Sequence, residues 1–339
     1  MAARRRSLRC KGGCGVTPDV RCQLCGQSSF VPLIHVRDAN FSSNIKSYSI
    51  LRCSNCELST MSPFPTIRDI EELYVKEGVF SVRSVNPYAH MLSFRFLEPL
   101  YQKYGTDLRF IAKQCLRLAS KRNPSILDLG CSVGRLLNAF KLAAPGLEVS
   151  DLWGIDIDPN AKNNAIPFLK ERIVIANFLE YQFDRQFDIV TMRYVIEHLL
   201  DFNTYVERAA SILKPGGIMF ISTPDIDSAQ ARLLRENWRL INDSNQKIGH
   251  LRWFNQKSME FLARKFGLHV EKCVHRGEMI YHLPLPLQSL LRRVLGVEPA
   301  SGRFIKDYTP RILNATFFDG VLSHTLNYGE GLYVFLRKH

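Results

Sequence analysis

The stretch Pro124-Ser125-Ile126-Leu127-Asp128-Leu129-Gly130-Cys131-Ser132-Val133-Gly134-Arg135 decides the fold. Ile126, Leu127 and Leu129 make the short apolar run that a strand buried on both faces needs. The run ends in Asp128, Gly130 and Gly134, and Arg135 to Phe140 then has the spacing of an amphipathic helix. A strand that turns through glycines into a helix builds a ligand site at the carboxyl edge of an open parallel sheet. Glycines let the backbone approach a ligand closely, and the first amides of the helix are unpaired donors. A dinucleotide fingerprint would put its middle glycine where Ser132 stands. Asp128 would repel a pyrophosphate, whereas it could meet a cationic amino-acid group. Another α/β nucleotide site or a plain core turn fits the same residues.

The chain beyond this point alternates strand and helix signals, as a doubly wound parallel sheet requires. Val149 to Pro159 reads as the second strand and its exit. Asp156 there can accept both ribose hydroxyls of an adenosine, with Ile157 against the adenine. Asp158, just before Pro159, reads equally as a helix cap. Ile173 to Phe178 and Phe187 to Arg193 read as two further strands, and Asn177 could bond an adenine amino group. Lys214-Pro215-Gly216-Gly217 makes a turn before the buried strand Ile218 to Pro224.

Taken in order, Ile126 to Arg135, Gly154 to Pro159, Phe187 to Leu199 and Leu213 to Pro224 resemble the motifs of class I S-adenosylmethionine (SAM) methyltransferases. The resemblance implies an α/β fold with a Rossmann-like, seven-stranded, doubly wound sheet. Leu268 to Val274 and Gly331 to Arg337 would be its final antiparallel pair. It also implies SAM as cofactor, bound through Asp128, Gly130, Cys131, Ser132, Gly134, Asp156, Ile157, Asn177, Phe178 and Arg193. Asn177 stands where many relatives carry aspartate. Phe187 to Thr191 followed by Val195-Ile196-Glu197-His198-Leu199 is similar to a subgroup acting on small molecules and sugars.

Ahead of this half, Cys22-Gln-Leu-Cys25 and Cys53-Ser-Asn-Cys56 form two Cys-x-x-Cys pairs. Each pair can set two thiolates on one tight turn, and two such turns make a tetrahedral four-sulfur zinc site. Gly26 suits the left-handed residue that follows such a pair, whereas Glu57 suits it less well. Phe30 to Ile34 and Tyr48 to Arg52 read as strands, completing a structural zinc ribbon. Unconnected buried thiols or a redox pair are the competing readings. Cys10 and Cys14 sit in a basic leader and read as free. The expected organisation is a disordered leader over 1–20, the ribbon over 21–62 and a helical bridge over 63–123. The methyltransferase domain then runs over 124–339, with a helical insertion at 279–328. A ribbon ahead of such a domain resembles bacterial methyltransferases of polysaccharide and natural-product pathways.

The 339 residues carry a net charge of +13, with 46% hydrophobic and 23% charged residues. That composition is ordinary for a globular protein, and the basic balance suits anionic partners. No run approaches the length of a membrane helix, and the basic start leads into no apolar signal core. The expectation is a cytoplasmic protein whose nine cysteines stay reduced unless a metal holds them. In the insertion, Leu285 to Val297 has an apolar face opposite Arg292 and Arg293. It could lie on the inner face of an anionic membrane, beside a lipid-linked or nucleotide-linked sugar substrate. A cap over the site or a dimer contact explains the pattern as well.

SAM carries an activated methyl, so the protein must align an in-line attack and, for an oxygen or carbon acceptor, take a proton. Histidine is the natural base near neutrality. The two candidates are His198, after the fourth strand, and His250, in Gly249-His250-Leu251-Arg252-Trp253-Phe254. Sugar C-methyltransferases with a zinc ribbon carry a similar His-Leu-x-aromatic-Phe stretch. A glutamate directly before that histidine and a tyrosine three residues before it belong to the set. Here those places hold Gly249 and Lys247, which favours an oxygen or nitrogen acceptor. The sequence after the fourth strand lacks the Asn/Asp-Pro-Pro-aromatic motif of base-methylating enzymes, which sets RNA behind a small molecule. A ribbon-based binding protein without activity is the third class left open.

Overall fold

The computed structural model describes residues 21–73, 107–242, 249–276 and 329–339. The leader with Cys10 and Cys14, most of the bridge, Lys247 and the whole 279–328 insertion with its proposed membrane helix lie outside the described residues.

One sheet has seven strands. In chain order they are β4 (Ile126–Leu129), β5 (Leu152–Asp156), β6 (Ile173–Ile175), β7 (Phe187–Arg193), β8 (Leu213–Pro224), β10 (Leu268–Arg276) and β11 (Gly331–Lys338). Across the sheet the order is β10-β11-β8-β7-β4-β5-β6. β4 to β8 pair in parallel, and β11 runs antiparallel to both β8 and β10. The chain leaves β4 toward β5 and returns on its other side with β7. That reversal is the topological switch point, and a crevice opens at the carboxyl ends of β4 and β7. Strand β6 is shorter than Ile173–Phe178 promised: Ala176 makes a last backbone bond to Asp156 of β5, and the chain turns away from Asn177 on.

Period-two packing fills both faces. Leu127, Leu129, Val190, Met192 and Met219 join one core cluster, and Ile126, Ile189, Ile218 and Phe220 join another. Their neighbours along each strand alternate between the two, as strand geometry requires. Helix α3 (Arg135–Ala143) lays Leu136, Leu137, Ala139 and Phe140 on the second cluster, beside α2 (Asp107–Ala119).

The second sheet has the order β1-β2-β3-β9, from β1 (Phe30–Val36), β2 (Tyr48–Cys53), β3 (Ser59–Ser62) and β9 (Arg252–Trp253). Only β1 and β2 were legible in the sequence. β9 comes from the loop that carries His250, so a strand of the cofactor half completes the sheet of the ribbon. The packing is shared as well. Cys22, Leu24, Cys53, Cys56 and Leu58 belong to the same core cluster as Phe254, Met259 and Leu262, the last two from α7 (Gln256–Lys265).

Candidate active site

The cofactor side is built locally. Gly130 has φ 69° and Gly134 has φ 85°, so both occupy the left-handed region where a side chain is strained. A Cβ on Gly130 would meet Val195 at 2.6 Å, and one on Gly154 would meet the Cys131 sulfur at the same distance. The Cys131 side chain is therefore packed into the floor of the loop. Ser132, where a dinucleotide fingerprint has its middle glycine, also sits at positive φ, 49°. Its amide donates to Asp156 Oδ2 at 2.8 Å, and the Asp158 amide donates to Oδ1 at 3.0 Å. Each carboxylate oxygen of Asp156 thus keeps acceptor capacity for a diol. Next to it Ile157 is 62% exposed, an apolar side chain left uncovered where an adenine ring could lie. Asp158 also caps helix α4 (Pro159–Asn163), as the cap reading of that exit expects, and the cap leaves Asp156 facing the loop.

Asp128 is buried and accepts from Thr191 Oγ1 at 2.7 Å. Burial pushes its pKa up to about 7 against the pull of Thr191 and Arg193. A cationic ligand group would restore the ionised form. Arg193 ends β7, where its charge favours the ionised forms of both Asp128 and Glu197. Asn177 accepts from the Leu179 amide and donates to Glu180, which ties its amide into the turn. The Phe178 ring is fully buried 4.8 Å from Tyr205. Its side chain is core, which leaves only its backbone to face a ligand. These residues fit an adenosine that carries an amino acid with a free ammonium group, as SAM does: a buried acid at β4, a diol acceptor at β5 and an apolar cover beside it.

The histidine side is assembled from distant segments. His198 ends the turn that follows β7, and its Nδ1 lies 3.0 Å from the Gly249 carbonyl oxygen. His250 Nδ1 lies 2.8 Å from the Leu240 carbonyl oxygen. A carbonyl only accepts, so both imidazoles carry their proton on Nδ1 and a lone pair on Nε2. The rings are 4.7 Å apart between centroids, and His250 is 8% exposed. Burial pulls the His198 pKa down to about 4 and that of His250 well below its usual value, with His198 adding to the second. Two neutral bases therefore face one another at neutral pH.

Between them lies a carboxyl that the sequence reading left without a role. Glu197 is buried, and neither oxygen makes a well-formed hydrogen bond among the described residues. Burial raises its pKa to about 8. Ligating atoms of Glu197, His198 and His250 all lie within 4.8 Å of one another. Three acceptors so close can hold a proton or a cation among them. Val195, two residues before Glu197, is the side chain against Gly130, so this cluster adjoins the cofactor loop. An acid inside the apolar run Val195 to Leu199 is the signal that would have found it.

The four cysteines converge as the spacing predicts. Cys22 and Cys56 sulfurs are 3.4 Å apart, Cys25 and Cys53 3.5 Å, and all four lie within 4.8 Å. Tetrahedral zinc thiolates have sulfurs about 3.8 Å apart, from a Zn–S bond of about 2.3 Å. The hydrogen bond from Cys56 lowers the Cys22 pKa to about 5, and the same bond raises that of Cys56. Such a shared proton is what a divalent cation would replace. The donor set fits zinc.

A family model described as a methyltransferase domain matches residues 101–272, half of the chain. The ubiquinone biosynthesis O-methyltransferase of Histophilus somni is 29% identical over 137 residues, 37% of this chain and 54% of that protein. The enzyme of the same name from Bradyrhizobium diazoefficiens is 31% identical over 190 residues, 53% of this chain and 68% of its own length. The chain thus spans about half of the first relative and about two thirds of the second. Among solved structures, the 1,6-didemethyltoxoflavin-N1-methyltransferase of Burkholderia thailandensis is a distant likeness. Its TM-score is 0.44 at 14% identity, over 86% of this chain and 95% of that one. The matched domain spans the Gly130–Gly134 loop, Asp156 and both histidines, and it assigns this chain to the class I SAM-dependent methyltransferases.

Proposed function

We propose that the protein methylates a hydroxyl of a small molecule, a sugar or a related metabolite, with His250 taking the proton and His198 beside it. The observation that carries this reading is the pair of neutral imidazoles, each locked by a backbone carbonyl, next to the cofactor loop. A hydroxyl needs a base in the transition state, and a base works only unprotonated. Two relatives named as O-methyltransferases support an oxygen acceptor. Bound SAM would supply the activated methyl group. Asp128, Asp156 and the backbone of Gly130 to Gly134 would hold and orient it, and Ile157 would shield the adenine from water. Calorimetry with S-adenosylhomocysteine, followed by labelled methyl transfer to a metabolite extract and to RNA, tests the reading. Binding plus label in the small-molecule fraction is expected. Label in RNA that falls away with salt would replace the acceptor class, and a protein that binds no cofactor would end the enzymatic reading.

The same proposal includes a zinc ribbon over 21–62, with one zinc held by Cys22, Cys25, Cys53 and Cys56. The sulfur spacing supports it. Elemental analysis of protein purified without chelator should give about one zinc per chain, and metal-free protein would refute it. No helix among the described residues is long and apolar enough to cross a membrane.

A further inference from the structure

Arg252 is a fully buried cation whose hydrogen bonds all go to neutral oxygens. Its Nε donates to Gln23 Oε1 at 2.7 Å, and Nη2 donates to the same oxygen. Nη1 donates to the Leu199 carbonyl, and Nη2 also donates to the Leu200 carbonyl at 2.6 Å. The guanidinium lies 4.9 Å from the Phe202 ring and 5.0 Å from the Phe64 ring. Gln23 sits between Cys22 and Cys25, on the first metal knuckle. Leu199 and Leu200 directly follow Glu197-His198. One side chain therefore bridges the four-cysteine centre to the turn that holds a candidate base.

A buried charge persists only where something compensates its desolvation. Burial pulls the Arg252 pKa down to about 9, and the charges that favour the cation are Asp201 and Cys22. Four thiolates around a zinc ion would carry a net charge of −2, a counter-charge that adds to that of Asp201. Thiols would offer none.

The same segment is held from the other side. The Leu251 amide donates to the Glu197 carbonyl at 2.9 Å, and its own carbonyl accepts from the Met61 amide of β3. Trp253 pairs with Ser59, stacks on Tyr48 of β2 and donates its indole N–H to the Leu240 carbonyl, which also receives His250 Nδ1. The segments on either side of His250 are thus tied to the ribbon's sheet, through Leu251 to Met61 and through Trp253 to Ser59 and Tyr48.

We propose that the metal centre positions the histidine pair, through Gln23 and Arg252 to the Leu199–Leu200 backbone and through β9 to His250. This inference rests on the zinc site and the histidine roles proposed above. Gln23 and Arg252 are positioning residues and touch no reacting atom. Gln23 is an exposed residue whose amide oxygen accepts from Arg252, so replacing it should not unfold the chain.

The test compares wild type with Gln23→Leu and Gln23→Glu in the full-length protein. The measurements are zinc content, S-adenosylhomocysteine affinity and the imidazole NMR signals of His198 and His250. Gln23→Leu should keep about one zinc and its cofactor affinity, yet shift both imidazole signals. Turnover should fall roughly tenfold to a hundredfold at nearly constant KM, the range for outer-shell partners of a site. Gln23→Glu still offers Arg252 an acceptor and should restore the signals and the rate. Zinc-loaded Gln23→Leu with unmoved imidazole signals would overturn the coupling, and so would metal-free wild type whose signals ignore added zinc. Because zinc content and imidazole signals are read without a substrate, an inactive wild type would fault the proposed reaction and leave the coupling to be decided by them.

Discussion

The cofactor loop and the histidine pair lie at the same edge of one sheet and are built in opposite ways. Asp128, Gly130, Ser132 and Gly134 fall within seven consecutive residues, and Asp156 reaches them across a single β4–β5 pairing. His198 and His250 are 52 positions apart in the numbering and meet where the segment leading into β9 packs on the turn after β7. A site made locally is fixed as soon as its strand and helix form. A site made from three segments is fixed only when the ribbon, the Trp238–Asn242 turn and the sheet have all docked. Damage at the first should stay local, while damage at the second should travel.

The largest expected effect is on the assembled side. His250→Ala should cut turnover by roughly a hundredfold or more while leaving S-adenosylhomocysteine affinity nearly unchanged. His198→Ala is the necessary companion, since either ring could take the proton. Loss in His198→Ala alone would assign the base to His198, and full activity in both would mean that proximity carries the rate. The same rings predict an acid limit on stability. Their folded pKa values lie below the unfolded value of about 6.5. Their contribution is therefore complete above about pH 6.5 and is lost as pH falls from there toward about 4 for His198. Chemical denaturation at pH 7.5 and at pH 5 should show the difference.

On the local side, Gly154→Ala drives a methyl into the Cys131 sulfur and to 3.2 Å from Leu137. Overpacking of this kind costs about 1–3 kcal/mol. A fall in denaturation midpoint with the imidazole NMR signals unchanged would show that the two sides are separable. Motion of those signals would break the comparison.

A smaller effect concerns Asp128. Its pKa is raised to about 7 by burial, so its contribution to stability is complete below the unfolded value of about 3.9 and fades as pH rises through about 7. A ligand carrying an ammonium group prefers the ionised form. Cofactor affinity should therefore rise about tenfold between pH 6 and pH 8, with proton release visible by calorimetry in buffers of different ionisation heat. Asp128→Asn should bind more weakly and flatten that dependence.

The contrast also explains what the sequence could say. Strand, glycine turn, helix and the acid at the end of β5 lie in register along the chain, so periodicity and spacing are enough to read them. The two Cys-x-x-Cys pairs were legible for the same reason. β9 was not, because two residues that pair with β3 leave no periodic trace. Glu197 and Arg252 were passed over because a charge in an apolar run is read as surface until its burial is known. Phe178 was named for the cofactor by resemblance alone, and that its ring packs against Tyr205 could be learned only from the fold.

The smallest expected effects compare the two knuckles themselves. Gly26 and Glu57 each follow the second cysteine of a pair, at φ 77° and 61°. Each amide donates to the first cysteine's carbonyl, at 2.7 and 3.0 Å. Nothing lies within 4 Å of a Cβ at Gly26, so Gly26→Ala should cost only the left-handed penalty of about 1–2 kcal/mol. Glu57 already bears that penalty and gains something in return. It accepts from Lys257 Nζ at 2.7 Å and Asn255 Nδ2 at 2.8 Å, joining the second knuckle to the cap of α7. The lysine is largely exposed, so solvent screens its pair and the contact adds little. Glu57→Gly relieves the backbone and gives up both contacts, and the two changes should cancel to within about 0.5 kcal/mol. Urea denaturation of the zinc-loaded variants measures both. A clear loss in Glu57→Gly would mean that the second knuckle depends on its bridge to α7 more than on its own turn, so the ribbon would be held by the sheet domain as much as the histidines are held by the ribbon.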